Sequence, residues 1–151
     1  MPDAPEFLDE PFFPEGMSQP DPDDPIAKGF WDAAKEGRLV VQACDDCGAV
    51  QYPPELNCHQ CYGFEMGWRT VSGRGHVWSW VEVEHPATPA LQDFGAYTVA
   101  LVELDDLPET KLLGNVIDAP PGGPSIGQAV RVVFERTAED LVQPRWRLAE
   151  G

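Results

Sequence analysis

Cys44-Asp45-Asp46-Cys47 and Cys58-His59-Gln60-Cys61 contain all four cysteines of the chain and are separated by ten residues. A Cys-x-x-Cys loop lets two thiolates converge on one ion, and two such loops complete a tetrahedral site. The spacing therefore predicts one structural zinc bound by Cys44, Cys47, Cys58 and Cys61. A disulfide pair, which a reducing compartment disfavours, and redox iron or dithiol chemistry are the alternatives.

A closed site of four thiolates leaves the zinc no position for water or substrate, so this metal is expected to hold structure and not to catalyse. His59 lies between two ligands and is predicted to be exposed. The residue after the first pair is Gly48, whereas Tyr62 follows the second pair. We therefore expect the two loops to differ in shape.

The segment before the cysteines begins with an acidic, proline-rich arm, residues 1–24. The first 25 residues hold eight acidic groups, seven prolines and no Lys or Arg. Prolines at this density prevent a regular element, and the like charges repel one another. A solubilising tail is one interpretation. Packing along a partner or the chain's own domain is the other, because the arm also contains Phe7, Leu8, Phe12, Phe13 and Met17.

A short amphipathic helix is predicted after the arm. Asp24-Pro25 is a suitable N-cap and first-turn pair, because the carboxylate accepts free backbone N–H groups and proline has none. Ile26, Phe30, Trp31 and Ala34 recur at helical spacing, and Gly37 can end the helix.

The remainder of the chain follows a strand pattern. Turn residues separate the last five candidate strands, and no space remains for crossover helices. The fold class is therefore mainly β: an N-terminal helix and a four-Cys ribbon in residues 25–72, then a five-stranded antiparallel OB-like barrel in residues 73–151. In the strand at 75–85, Val77, Val81 and Val83 are expected on one face, with Trp78 and Trp80 on the other. The candidate strands are residues 38–43, 67–71, 75–85, 97–104, 111–117, 129–135 and 144–148.

Charge and composition exclude several functions. The formal net charge is −16, which opposes a free-standing nucleic-acid binder because phosphate contacts need Lys and Arg. No apolar run approaches the ~20 residues of a membrane span. The first residues contain no signal-peptide pattern, so a cytoplasmic location is expected.

The parts of an active site are also missing from the sequence. With the thiols bound to metal, no cysteine nucleophile remains, and none of the serines lies in a G-x-S-x-G turn. His76 and His85 are the remaining candidate bases, and neither is adjacent to a nucleophile in sequence. We therefore expect a component that is not catalytic alone.

Several motifs, in order along the chain, resemble the domain-of-unknown-function thirty-five family, whose members join a helix, a rubredoxin-like zinc ribbon and an OB-fold. The resemblance runs from about Pro25 to Leu148, and Tyr62 departs from the glycine usual at its position. The ribbon motifs are Phe30-Trp31, Glu36-Gly37-Arg38-Leu39, the two cysteine pairs and Tyr52-Pro53-Pro54; the OB motifs are residues 71–77, 97–104, 112–114 and 127–130.

The resemblance implies a non-catalytic accessory subunit of a thiolase-superfamily complex that makes or breaks a C–C bond in an acyl-CoA, by thiolysis or a retro-aldol reaction. Aromatic and steroid side-chain esters are among the substrates of the family. The partner would supply the catalytic groups, and a two-plus-two heterotetramer is expected. This chain would shape the acyl-CoA entrance, with five candidate contacts to acyl-CoA or partner: Arg69, Arg74, Lys111, Trp78 and Trp80.

Two other functions remain open at this point. A free-standing acyl-CoA-binding module would bind its ligand without a partner. A nucleic-acid-binding protein is compatible with a zinc ribbon and an OB barrel, but not with the charge.

Overall fold

The computed structural model describes residues 4–149, so residues 1–3 of the predicted arm and 150–151 of the predicted barrel lie outside the described residues. One helix and two sheets make up the fold. β1, β2 and β3 form a three-stranded sheet of order β2-β1-β3, and β4 to β8 form a closed barrel of order β4-β5-β6-β8-β7. The elements are α1 (Lys28–Lys35), β1 (Val40–Cys44), β2 (Val50–Gln51), β3 (Met66–Thr70), β4 (Arg74–Val83), β5 (Tyr97–Leu104), β6 (Lys111–Val116), β7 (Ala129–Ala138) and β8 (Leu141–Leu148).

The barrel confirms the predicted fold class and corrects one detail of it. Alternate residues of β5 face the core, and Ala100, Val102 and Leu104 are fully buried there. The barrel was expected to be antiparallel, and one pair departs from this, because β6 and β8 pair in parallel at Val116 and Trp146. An odd number of strands in a closed barrel cannot alternate in direction throughout, so one neighbouring pair must be parallel.

A β-bulge in β4 overturns the predicted faces of this strand. The register with β5 shifts between Val77 and Ser79, which inserts Trp78 as an extra residue. The residues after a bulge exchange faces. Val77 therefore points into the core, whereas Val81 is 58% exposed and Trp80 turns inward to pack against the core. The strand ends at Val83, two residues before His85.

The helix is present but begins later than predicted. α1 starts at Lys28, and the Asp24 carboxylate accepts the N–H of Ile26 in the preceding turn, so Asp24 is not the helix N-cap. Ile26 is exposed, and the buried face consists of Phe30, Ala33 and Ala34. The helix ends at Lys35, and Gly37 follows the C-cap Glu36 with a positive φ of 75°, as predicted for the residue that ends the helix. α1 has eight residues, and no helix within residues 4–149 is long and apolar enough to cross a membrane.

The acidic arm packs along the barrel. Leu8 N–H donates to the carbonyl of Phe134 in β7, and Phe134 N–H donates to the carbonyl of Glu6. The Glu6 carboxylate lies 2.7 Å from Arg131 and 2.8 Å from Arg147. Of the two interpretations of the arm, the structure shows packing on the chain's own domain.

The arm is expected to loosen in acid. Burial raises the pKa of Glu6, but hydrogen bonds from Arg131 and Arg147 outweigh it and hold this pKa below its ordinary value. The contribution of Glu6 is therefore complete above the ordinary glutamate pKa and is lost as the pH falls through the lower folded value. The ion pairs of Glu6 contribute on the order of 1 kcal/mol to the free energy of unfolding, because solvent screens charges that are partly exposed. The protection factor of the Leu8 amide against hydrogen exchange should fall as the pH is lowered, and Glu6→Gln should have a low protection factor at every pH; a wild-type protection factor that does not change with pH would contradict this.

Candidate metal centre and binding cleft

The four cysteine sulfurs converge at one end of the ribbon. β1 delivers Cys44, and the loops after β1 and β2 deliver the other three. The Sγ atoms all lie within 4.8 Å of one another, and the Cys44–Cys61 and Cys47–Cys58 pairs are each separated by 3.6 Å. Zn–S bonds of about 2.3 Å at tetrahedral angles place sulfurs about 3.8 Å apart. The four side chains therefore fit a zinc ion, which supplies structure and no open coordination position.

Backbone donors around the site act unequally on the thiols. The N–H groups of Cys61 and Gln60 donate to Cys58 Sγ and lower the pKa of Cys58 to about 6. The Gly63 N–H lowers the pKa of Cys61, but the neighbouring Cys44 sulfur contributes to raising it to about 12. Four thiolates this close repel one another, and a divalent cation removes that penalty.

The two cysteine loops have the same backbone conformation, which corrects the expectation that they differ. Gly48 N–H donates to the Cys44 carbonyl, and Tyr62 N–H donates in the same way to the Cys58 carbonyl. Gly48 adopts a φ of 78°, and Tyr62 adopts a φ of 62° at the equivalent position. A side chain in this left-handed region costs on the order of 1 kcal/mol relative to glycine. Tyr62 therefore accepts this strain while the second loop keeps the conformation that Gly48 gives the first loop.

A pair of buried glutamines holds the second cysteine loop. This pair was not predicted from the sequence. Gln51 Nε2 donates to Gln42 Oε1 at 2.8 Å, and Gln42 also bonds both the N–H and the carbonyl of Glu55. Gln51 Oε1 accepts the N–H of His59, whose side chain is exposed as predicted. Gln42 lies among buried apolar residues of β1, and this polar interruption of an apolar strand was the available signal.

Two of the predicted contact residues meet on the outer face of the barrel. Lys111 Nζ lies 4.7 Å from the centre of the exposed Trp78 ring, a cation–π geometry. Lys111 also approaches Glu103 at 3.4 Å and donates to the Pro108 carbonyl. Its charge is thus partly compensated within the chain.

The other three predicted contacts lie apart from this pair. Trp80 packs inward, with its ring against Gly123. Arg69 is exposed on β3 of the ribbon, and Arg74 is exposed at the start of β4. The aromatic and cationic residues chosen from sequence therefore do not form one site.

A histidine–carboxylate pair occupies the same barrel face. His76 Nδ1 lies 2.7 Å from Asp105 Oδ1, and both side chains are about half exposed. This contact orients the imidazole ring. His76 pairs with Glu103 across the strands, so its cross-strand neighbour is also acidic.

A cleft of about 1050 Å³ lies between the arm, α1 and the outer face of β5 and β6. Aromatic rings contributed by different segments form its walls: Phe13 packs 5.3 Å from Phe94 and 5.2 Å from Tyr97, measured between ring centres. Trp31 and Tyr52 also line the cleft. OB barrels use the corresponding face of their second and third strands to bind ligands.

A buried ion pair lies at the wall of this cleft. Arg145 Nε lies 3.3 Å from Glu135 Oε1, and the two residues are 9% and 3% exposed. Arg145 also donates to Asn115 Oδ1 and lies 5.4 Å from the centre of the Phe13 ring. Phe12 N–H donates to Glu135, so the arm is bonded to the pair. The sequence reading did not select these residues, because β7 and β8 bring them together only in the folded barrel.

Sequence comparison places both halves of the chain in one family. Residues 31–67 match the rubredoxin-like zinc ribbon domain of ChsH2, and residues 68–135 match its C-terminal OB-fold domain. A probable enoyl-CoA hydratase alpha subunit of Thermomonospora curvata is 35% identical over 121 residues, which are 80% of this chain and 37% of that protein. The 3-oxo-4,17-pregnadiene-20-carboxyl-CoA hydratase alpha subunit of Mycobacterium tuberculosis is 29% identical over 131 residues, which are 87% and 40% of the two chains. The chain thus spans about two fifths of the length of these relatives.

Solved structures agree with this assignment. A chain of the Ltp2-ChsH2(DUF35) aldolase superposes with a TM-score of 0.72 at 32% identity, covering 82% of this chain and 94% of that one. A DUF35-family protein of unknown function from Sulfolobus solfataricus shares the fold, with a TM-score of 0.56, 16% identity and coverage of 83% and 87%. With both halves matched and a solved relative covered almost completely, the chain belongs to the ChsH2 (DUF35) family of proteins that join a zinc ribbon to an OB-fold.

Proposed function

We propose that the chain is the non-catalytic zinc-ribbon and OB-fold subunit of a heteromeric complex that acts on acyl-CoA thioesters. The catalytic partner is a thiolase-superfamily subunit that cleaves or forms a C–C bond by thiolysis or a retro-aldol reaction. The 32%-identical match to a chain of the Ltp2-ChsH2 aldolase carries this proposal. The relatives named as hydratase alpha subunits also belong to multisubunit enzymes that act on CoA esters.

The outer face of the barrel supports a role in shaping the acyl-CoA site. Lys111, Leu113 and Asn115 point outward along β6, with the cation at one end of this row and the aromatic cleft at the other. At about 3.3 Å per residue the row is about 13 Å long. In this proposal the apolar acyl group occupies the cleft, while Lys111 and Trp78 face the anionic and adenine parts of CoA.

The charge of the chain limits what it contributes alone. CoA is strongly anionic, whereas this chain carries −16, so long-range attraction must come from the partner. The proposed local contacts to phosphate are Arg69, Arg74 and Lys111. Trp80 would act indirectly, because it packs inward and supports the surface that the ligand contacts. The two-plus-two stoichiometry and the cytoplasmic location stay parts of the proposal.

Reconstitution tests this function. The purified chain should not turn over acyl-CoA esters, and the Ltp2 homologue from the same organism should become active when the two proteins are combined. Full activity of that homologue without this chain would reject the proposal. Calorimetry with acyl-CoA on the isolated chain separates the alternative of a free-standing binding module, which must bind without a partner.

Replacing an aromatic wall of the cleft should impair the complex selectively. We expect Phe13→Ala to lower kcat/KM for a bulky cyclic acyl-CoA about tenfold, because a buried ring contact is worth about 1–2 kcal/mol. A short acyl-CoA should be less affected, since it does not reach the ring. Val81→Ala, which truncates an exposed side chain outside the cleft, is the matched control. Equal losses for both substrates would place the acyl group elsewhere.

A further inference from the structure

The second cysteine loop and the residues next to it expose three large apolar side chains that the fold does not use. Leu56, Tyr62 and Phe64 are 64%, 73% and 68% exposed, and they lie within nine residues of one another. We call these three residues the knuckle patch. The Asn57 side chain donates to the Tyr62 carbonyl, and Met66 N–H donates to the Phe64 carbonyl, so the backbone that presents the patch is held in place.

Tyr62 combines two unfavourable features in one residue. Within residues 4–149 it is the only non-glycine residue with a positive φ, and its aromatic ring is mostly in water. Glycine serves the same backbone position in the first cysteine loop without this strain. Neither the metal site nor the core gains from the tyrosine ring. A ring presented in this way is explained by a contact with another molecule, since exposed Tyr and Phe clusters are typical centres of protein interfaces.

The rim of the knuckle patch is acidic. Glu55 precedes Leu56, Glu65 follows Phe64, and the Asp46 carboxylate lies 3.0 Å from the position that a Cβ on Gly63 would take. No Lys or Arg occurs between Arg38 and Arg69. A second copy of the chain would present the same acidic rim, so a symmetric contact through this patch would repel itself. The charge instead fits a partner whose apolar recess is bordered by Lys and Arg.

We infer that the knuckle patch docks the catalytic subunit, with Tyr62 inserted into an apolar recess that basic side chains surround. This inference rests on the proposed function, because it assigns the surface through which the accessory chain engages its partner. The zinc then acts indirectly, because it fixes the loop that presents Tyr62 while the barrel face remains available for acyl-CoA.

Tyr62→Gly separates docking from folding. Because glycine prefers this backbone conformation, the variant should retain one zinc per chain and melt at the wild-type temperature or above. Its Kd for the Ltp2 homologue of the same organism, measured by titration calorimetry, should rise at least tenfold. Ile126→Ala, which truncates an equally exposed side chain on the barrel, should leave the Kd unchanged.

Charge reversal on the rim gives a second, independent readout. Glu65 contributes only its backbone carbonyl to the loop, so Glu65→Lys should fold normally. It should slow association with the same partner and weaken its dependence on salt. Wild-type binding that Tyr62→Gly and Glu65→Lys leave unchanged would overturn the knuckle patch as the docking site and leave the proposed function intact. Absence of wild-type binding would overturn both, and self-association of the chain through this patch would overturn the choice of occupant.

Discussion

Removal of the zinc should unfold the ribbon and leave the barrel largely folded. Structural zinc sites contribute about 10–16 kcal/mol of apparent binding free energy, which exceeds the total stability of most domains. The two outer strands of the three-stranded sheet bury little, since Gln51 is the one buried residue of β2 and β3 has none, whereas the barrel is closed by its own hydrogen bonds. On chelation, backbone amides of β1 and β3 should therefore lose their protection from hydrogen exchange, while those of β5 keep it.

A ligand variant should reproduce the effect of chelation. Cys58→Ser should reduce the zinc content well below one per chain and expose the same amides, because Cys58 is a fully buried ligand of the proposed site. Gln60→Ala changes an exposed side chain in the same loop and should retain the metal. Elemental analysis that finds no metal, or iron with a visible charge-transfer band, would contradict the prediction. So would unchanged exchange in β1 after chelation.

The metal site was predictable because its signal is local. Two Cys-x-x-Cys pairs specify their own loops, and the ten residues between them allow the loops to meet. The barrel was predictable as a fold class for a related reason: short alternating strands joined by turn residues leave few other ways to close a sheet.

Features that depend on the neighbouring strand were not predictable. Nothing in β4 alone shows that Trp78 is the bulged residue, yet this one residue decides that Val81 faces solvent and Trp80 faces inward. The parallel contact of β6 with β8 likewise follows from closing the barrel and not from either strand.

The cleft as a whole was not predictable because its walls are distant in sequence. Phe13 of the arm meets Phe94 and Tyr97, and contacts of Glu6, Leu8 and Phe12 with the barrel hold the arm in place. From sequence, the acidic and proline-rich character of the arm favoured disorder as strongly as its phenylalanines favoured packing. These contacts join residues that are far apart in sequence, so no local sequence pattern indicates them.

The largest stability loss from one substitution outside the metal site is expected at the buried ion pair. Glu135→Leu would leave the Arg145 guanidinium in a site that is 9% exposed, and a guanidinium cannot lose its proton to escape burial. Breaking a buried pair by removing one partner costs about 3–5 kcal/mol. For a chain of this size the melting temperature should fall by roughly 10 °C. Urea denaturation of the zinc-loaded protein measures the free energy directly.

The double variant Glu135→Leu/Arg145→Met decides why the pair is present. Apolar residues of similar volume remove both desolvation penalties, so the double variant should regain most of the stability that Glu135→Leu loses. A double variant as unstable as the single one would show that the hydrogen bonds to Asn115 and Phe12, and not the charges, are what the barrel needs. The double variant could regain its stability and still give a complex whose kcat/KM for the bulky acyl-CoA is as low as that of Phe13→Ala. In that case the ion pair serves substrate binding in the cleft. Folding alone would then have been served equally well by two apolar side chains.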